Sequence, residues 1–322
     1  MSDLALDTAS APAPSAAFHG AVRLADWGLI RARGADAASF LQGQLTSDIV
    51  GLAPGRAVLA GYCSPKGRLL ASFVVWSPAP EEVLLACSAD LLAATLKRLS
   101  MFVLRAKCRL SDATAELGLW GLAGDAVPGG DAAPWSVLAA DTETQTVRLP
   151  DVAGVPRALH CQPAAAAAPA APLLDAAAWR WLEVRSGVVR IVAATVDQFV
   201  PQMVNFELVG GVNFKKGCYP GQEVVARSQY RGTLKRRAML LALPPGAGPA
   251  LAEGREVFHD ADPAQPAGLV ALAAHAAGGE QLALVELKLS LAEGPGAFHL
   301  GGADGPALKL QPLPYPLPAE GD

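Results

Sequence analysis

The sequence predicts an α+β fold that closes with an all-β unit. Three observations carry this. Strand-like runs alternate with helical apolar spacing over the first two-thirds of the chain. Only short strand-like runs remain after Arg237. Proline- and alanine-rich punctuation separates the two regimes.

The elements follow in order. Ala21–Asp26 is strand-like, and Ala35–Gln44 has helical spacing that puts Phe40 and Leu41 on one face. Leu69–Trp76 and Glu82–Cys87 read as strands joined by the turn Pro78-Ala79-Pro80. Ala89–Ser100 is an amphipathic helix with Leu91, Leu92, Leu96 and Leu99 inward. Phe102–Leu110 is expected to be a further strand, its basic residues Arg105, Lys107 and Arg109 alternating. Strand pair, helix and strand together suggest a ferredoxin-like sandwich. Gly124–Pro134 is a loop by composition. Pro163–Pro172 (PAAAAAPAAP) is a low-complexity spacer too poor in large apolar groups to fold alone. Asp175–Ser186 is helical and carries Trp179 and Trp181, and Gln222–Tyr230 is a short helix. Five strands then follow, at 238–243, 256–259, 268–274, 282–289 and 307–311, with a Pro/Gly loop over 243–254. They read as a small β-barrel or sandwich.

Bulk properties narrow the function classes. The 322 residues imply two or three domains. A net charge of -4 excludes a general nucleic-acid binder, so any basic function is local. Cys63, Cys87, Cys108, Cys161 and Cys218 are widely spaced and form no CxxC pair. That argues against a self-contained zinc or iron–sulphur site and for a reducing, cytoplasmic location. Residues 1–17 are Ala/Pro/Ser-rich without a basic start or an apolar run, and are expected to be a disordered tail rather than a signal peptide. No uninterrupted apolar run is long enough for a membrane span. GxGxxG, Walker, HExxH and GxSxG motifs are all missing.

The richest stretch for chemistry is 214–227, FKKGCYPGQEVVAR. It sets Cys218 in a glycine-braced turn beside Lys215 and Lys216, just ahead of a helix start, where cations and a positive helix end favour thiolate. Seven of the 26 Lys and Arg fall in 215–237, with Glu223 the only acid among them and Tyr219 and Tyr230 interleaved. Such a patch suits an anion, either RNA phosphate or the glutamate tail of a folate. Its bland alternative is a solvated helix face. Trp27 and Trp179 are candidates for stacking a flat heteroaromatic ligand, although most tryptophans are simply core.

The string Lys216-Gly217-Cys218-Tyr219 through Gly221-Gln222-Glu223 to Val225-Ala226-Arg227 closely resembles the signature of the YgfZ family, folate-binding relatives of the glycine-cleavage T-protein. Blocks at 40–48 (FLQGQLTSD), 63–68 (CSPKGR), 199–205 (FVPQMVN) and 312–315 (PLPY) agree. The resemblance implies three domains around a central hole: a discontinuous folate-binding α+β domain (18–55 and 173–236), an inserted ferredoxin-like domain (56–162) and a C-terminal β-barrel (237–322). It implies binding of tetrahydrofolate or a one-carbon derivative. It further implies support for assembly or repair of iron–sulphur client enzymes and, through such an enzyme, tRNA modification. Trp27 and Trp179 match the folate-contacting tryptophans, with Glu223 and Arg227 of the signature beside them. Cys218 matches the essential cysteine and Lys216 its supporting base or anion anchor. No stable metal is expected, because one thiolate is a transient cluster ligand at most. A weak tRNA contact through Lys215–Arg237 is a further expectation. Where T-proteins have an aspartate that handles the proton of aminomethyl transfer, this chain has Ser72, whose hydroxyl is no base near neutral pH. Aminomethyl transfer or demethylation is therefore the weaker alternative.

Overall fold

The protein is represented by a computed structural model that describes residues 18–318 apart from 140, 142, 233, 249 and 277. The tail expected at 1–17 lies outside the described residues. In chain order the elements begin with β1 (Gly20–Arg23), β2 (Trp27–Arg33), α1 (Ala37–Gln42), β3 (Ala57–Cys63), β4 (Leu69–Ala79), β5 (Glu82–Ser88) and α2 (Ala89–Ser100). They continue with β6 (Arg109–Asp112), β7 (Leu117–Ala123), β8 (Val137–Ala139), β9 (Gln145–Val152), β10 (Val155–Pro163), α3 (Ala176–Arg185) and α4 (Gln222–Tyr230). The last part holds β11 (Arg236–Leu243), β12 (Glu256–His259), β13 (Gly268–His275), β14 (Gln281–Lys288), α5 (Leu289–Ala292), β15 (Phe298–Leu300) and β16 (Ala307–Gln311).

Two five-stranded sheets, in the orders β1-β7-β10-β9-β8 and β3-β4-β5-β2-β6, pack face to face. The second sheet is buried on both sides, so its strands read as continuous apolar runs. Along β4, Ala71, Phe73 and Val75 meet α1 and α2, while Val74 and Trp76 face the first sheet. Trp76 Nε1 donates to Gln145 Oε1 across the gap between the sheets, at 3.1 Å. The β-only region expected after Arg237 is a closed six-stranded barrel, β11-β14-β13-β12-β15-β16, and β15 is a strand the pattern did not reveal. Val257, Val285 and Leu287 fill the barrel. Leu240, Leu282 and Leu284 point outward and join the core around α3. One chain of packing thus runs from sheet to helix to barrel.

Two expectations need correction. Residues 102–108 are turns, not a strand. The chain has to turn after α2 ends at Ser100, and Leu104 sits at φ +44°, a backbone conformation closed to strands. Only Arg109–Asp112 pairs, with β2. The ferredoxin-like unit over 56–162 does not form a sheet of its own. β2 runs its full length along β5, from Trp27 opposite Ser88 to Arg33 opposite Glu82, and separates β5 from β6. β7 to β10 meanwhile take β1 as their edge.

Gly121, on β7, lets the Trp179 ring lie against the sheet, since an added Cβ would fall 2.5 Å from ring carbons. Gly121→Ala is expected to destabilise the protein by about 1–3 kcal/mol through overpacking, measured as a lower urea midpoint at unchanged slope.

Candidate functional site

Both predicted tryptophans line one narrow cavity between the two sheets and α3. Asp175 caps α3, its carboxylate accepting from the Ala177 N–H at 2.7 Å, and this sets Trp179 on the first turn with Glu183 one turn further. Trp27 opens β2, where the chain leaves the first sheet for the second. Arg157 and Leu149 reach in from the first sheet, Leu59, Ser72 and Val74 from the second. Trp135 closes one side from a loop residue at φ +67°, a strained conformation for a bulky side chain. The cavity holds about 50 Å³.

Its chemistry is that of hydrogen-bond donors. Trp27 and Trp179 are 8% and 3% exposed, and among the described residues neither indole Nε1 has an acceptor. The Arg190 guanidinium lies 4.7 Å from the Trp27 ring centre and that of Arg157 lies 5.8 Å from the Trp179 ring centre. Glu183 is the carboxylate in the cavity lining, and both its oxygens are taken. Oε1 accepts from Arg190 Nε at 2.9 Å and Oε2 from Arg180 Nη1 at 3.1 Å. Burial by itself raises its pKa, but the two arginines prevail and hold it below the ordinary range. Burial pulls Arg157 down to about 10 against the weaker attraction of Glu183 and Asp151. Ser72 Oγ accepts from the Ile191 N–H at 2.9 Å, so its proton remains free to donate.

Cys218 is elsewhere. It is exposed, in the turn before α4, and is not among the residues that line this cavity. The other four cysteines are buried or half-buried, and burial pushes Cys63, Cys87 and Cys161 up to about 12. The turn is locked by Gly221 at φ +77°, whose position leaves 2.4 Å between an added Cβ and the Ser64 carbonyl oxygen. Lys216 does not donate to the sulphur. Its Nζ donates to the carbonyls of Gln42 and Leu45 at the end of α1 and lies 5.0 Å from the Tyr219 ring centre. Burial lowers its pKa to about 8, with Asp48 and Cys218 acting in the opposite direction.

The basic stretch is not a single surface. Arg237 is buried against Glu207 at 2.8 Å, Arg236 pairs with Glu286 at 2.8 Å, and Lys216 is tied to carbonyls. Lys215, Arg227, Arg231 and Lys235 remain exposed, as does Glu223 in the first turn of α4. Sequence reading missed Trp135, Arg157, Glu183 and Arg190. Glu183 and Arg190 carried no motif, and Arg157 sits mid-strand where a core residue is normally apolar.

No family model matches the chain. Among individual proteins, the tRNA-modifying protein YgfZ of Sodalis glossinidius is 31% identical, over 92% of this chain and 93% of its own length. That of Photorhabdus laumondii is 32% identical, over 93% of each. This chain belongs to the YgfZ family. Among solved structures, the glycine cleavage system aminomethyltransferase T of Bartonella henselae matches with a TM-score of 0.72 over 92% of this chain and 86% of that one. At 16% identity that likeness establishes a shared fold. No helix among the described residues is long and apolar enough to cross a membrane.

The Lys216 environment gives a pH signature. A base whose pKa falls on folding binds its proton more tightly in the unfolded chain. Through this group stability therefore rises as pH climbs from about 8 toward the unfolded value of 10.5. Wild type is expected to gain stability relative to Lys216→Met across that window, measured as the difference in unfolding midpoint at each pH. Parallel pH profiles would refute it.

Proposed function

We propose that this protein is a folate-binding accessory factor. It serves assembly or repair of iron–sulphur enzymes, and through them tRNA modification, with Cys218 as its working thiol. The observation that carries the reading is the pair of buried indoles whose N–H groups lack acceptors, set with arginines and a carboxylate around one slot. A flat heterocycle with carbonyl and ring-nitrogen acceptors suits that donor set, and its faces suit the tryptophans. About 50 Å³ is well below a usual small-molecule pocket of roughly 300–1,000 Å³, so the ring enters as the walls part. Bound there, a reduced folate supplies one-carbon or reducing capacity.

The chain's own part is to hold that ring, exclude water and present a thiol. Cys218 is exposed and therefore available to a partner protein, as thiol reductant or transient ligand. One thiolate is far short of the roughly four that a resident cluster needs, and no group of three His, Cys, Asp or Glu gathers among the described residues. The relatives' name, tRNA-modifying protein, supports the tRNA end of the reading. Four exposed cations near α4 give a tRNA only a weak, salt-sensitive foothold. Ser72 in the slot, its oxygen accepting from a backbone N–H, speaks against aminomethyl transfer.

Two measurements test it. Tetrahydrofolate titrated against tryptophan fluorescence should bind wild type, and Trp27→Ala or Trp179→Ala should weaken binding roughly 2- to 10-fold each. Unchanged affinity in both variants would defeat the slot as the folate site. Cys218→Ala should leave folate affinity intact and lower thiolation of tRNA by a cluster-dependent enzyme under oxidative stress, and normal thiolation would remove the thiol's role.

A further inference from the structure

Arg157 is the unexplained charge of this molecule. It is 3% exposed, in the middle of β10. Among the described residues it forms no ion pair. Its guanidinium hydrogen bonds all go to one oxygen, the Pro150 carbonyl, at 3.3 and 3.4 Å. Arg148, the other buried arginine of this sheet, contrasts with it, bonding the carbonyls of Leu149 and Arg157 and the Asp151 carboxylate. A buried cation left unpaired costs several kcal/mol, so such a residue is retained for something it meets only part of the time.

What it would meet follows from its neighbours. Arg157, Trp27, Trp179 and Ser72 all line the same slot, and each carries a hydrogen-bond donor: the guanidinium, the two indole N–H groups without an acceptor among the described residues, and the Ser72 hydroxyl. Glu183, the carboxylate of the lining, has both oxygens engaged by other arginines. We infer that Arg157, with the indoles of Trp27 and Trp179, forms a donor subsite for an electron-rich oxygen of the ligand, and so sets which edge of the ligand enters. Two sources share that chemistry: the carbonyl edge of a reduced pteridine, or a free oxyanion such as phosphate. The first rests on the folate reading above and the second does not.

The experiment separates them. Protein labelled with 15N in its indoles is titrated with tetrahydrofolate and, separately, with inorganic phosphate. In wild type at least one of the two should move the Trp27 and Trp179 N–H resonances downfield, as new acceptors do. Arg157→Met removes the charge but keeps most of the volume. It should weaken binding of that ligand roughly tenfold or more, the scale of a charge-assisted hydrogen bond, and leave the unfolding midpoint unchanged or higher because an unpaired buried cation is gone. Arg157→Lys, which keeps charge but loses the fork, should fall between. Should the Met variant fail to fold, the wild-type resonances and the Lys variant decide.

Shifts with phosphate alone would uphold the subsite and overturn the folate reading. Tetrahydrofolate that binds with both resonances still, and equally to Arg157→Met, would overturn the subsite and leave the folate reading standing. Silence with both ligands would overturn the subsite, as would a lower midpoint in Arg157→Met with affinity retained.

Discussion

The structure hangs on a buried ion network centred on Glu183 and Arg190. Glu183 accepts from Arg180 and Arg190, both from its own side of the molecule. Arg190 continues to the Asp26 carboxylate and to Ser88 Oγ, which fixes the start of β2 and the end of β5. Arg180 continues to Glu253 Oε1 at 2.5 Å and to the Ala273 carbonyl at 2.9 Å, both in the barrel. One carboxylate thus ties helix, sheet and barrel. Replacing such a network by apolar residues is often neutral, whereas removing one member leaves an uncompensated charge at a cost of about 3–5 kcal/mol. What the network adds is geometry: it holds Arg190 over Trp27 and Glu183 at the slot, so that the slot lining and the packing of helix, sheet and barrel share the same atoms.

This sharing explains what the sequence made legible. The helices were plain: α4 runs over the residues expected, and α2 buries Leu91, Leu92 and Leu99 as its period requires. Five of the six barrel strands, β15 being the exception, and the two-faced β4 and β5 were plain as well. The strands of the first sheet other than β1 were not. β9 and β10 bury Gln145, Thr146, Arg148, Arg157 and Gln162, so their alternation lacks the apolar beat by which strands are read. Gln145 is inside because it bridges the sheets and Arg157 because it borders the slot, while Thr146, Arg148 and Gln162 are satisfied by bonds to His160, to Leu149, Arg157 and Asp151, and to the Ala167 carbonyl. The false strand over 102–108 shows the opposite error, since Arg105 and Lys107 are solvated turn residues that, with Arg109 at the start of β6, only mimic a period of two.

For the site, residue types pointed to Trp27, Trp179 and Cys218 but carried no information on their arrangement. The tryptophans converge on one cavity although they stand about 150 residues apart in the chain, Trp27 at the start of β2 and Trp179 in α3. Arg157 was invisible because a mid-strand arginine gives no motif, and only its lack of a partner marks it.

The thiol and the slot are separate places joined by one hairpin. At its tip, Ser64 to Gly67 packs against Gly221 beside Cys218. Tyr62, on the same hairpin, bridges to Leu45, whose carbonyl holds Lys216. Further along, Leu59 and Ser72 line the slot, the latter opposite Gly61. At about 3.3 Å per residue, the five-residue step from Gly67 to Ser72 is roughly 17 Å when extended. A ring seated between the tryptophans therefore does not touch the sulphur, and direct chemistry between them would require a long ligand tail or a moving loop. That hairpin is what the two places share: Leu59 and Ser72 line the slot at one end, and at the other Gly67 packs so closely against Gly221 and Val224 that it admits no side chain.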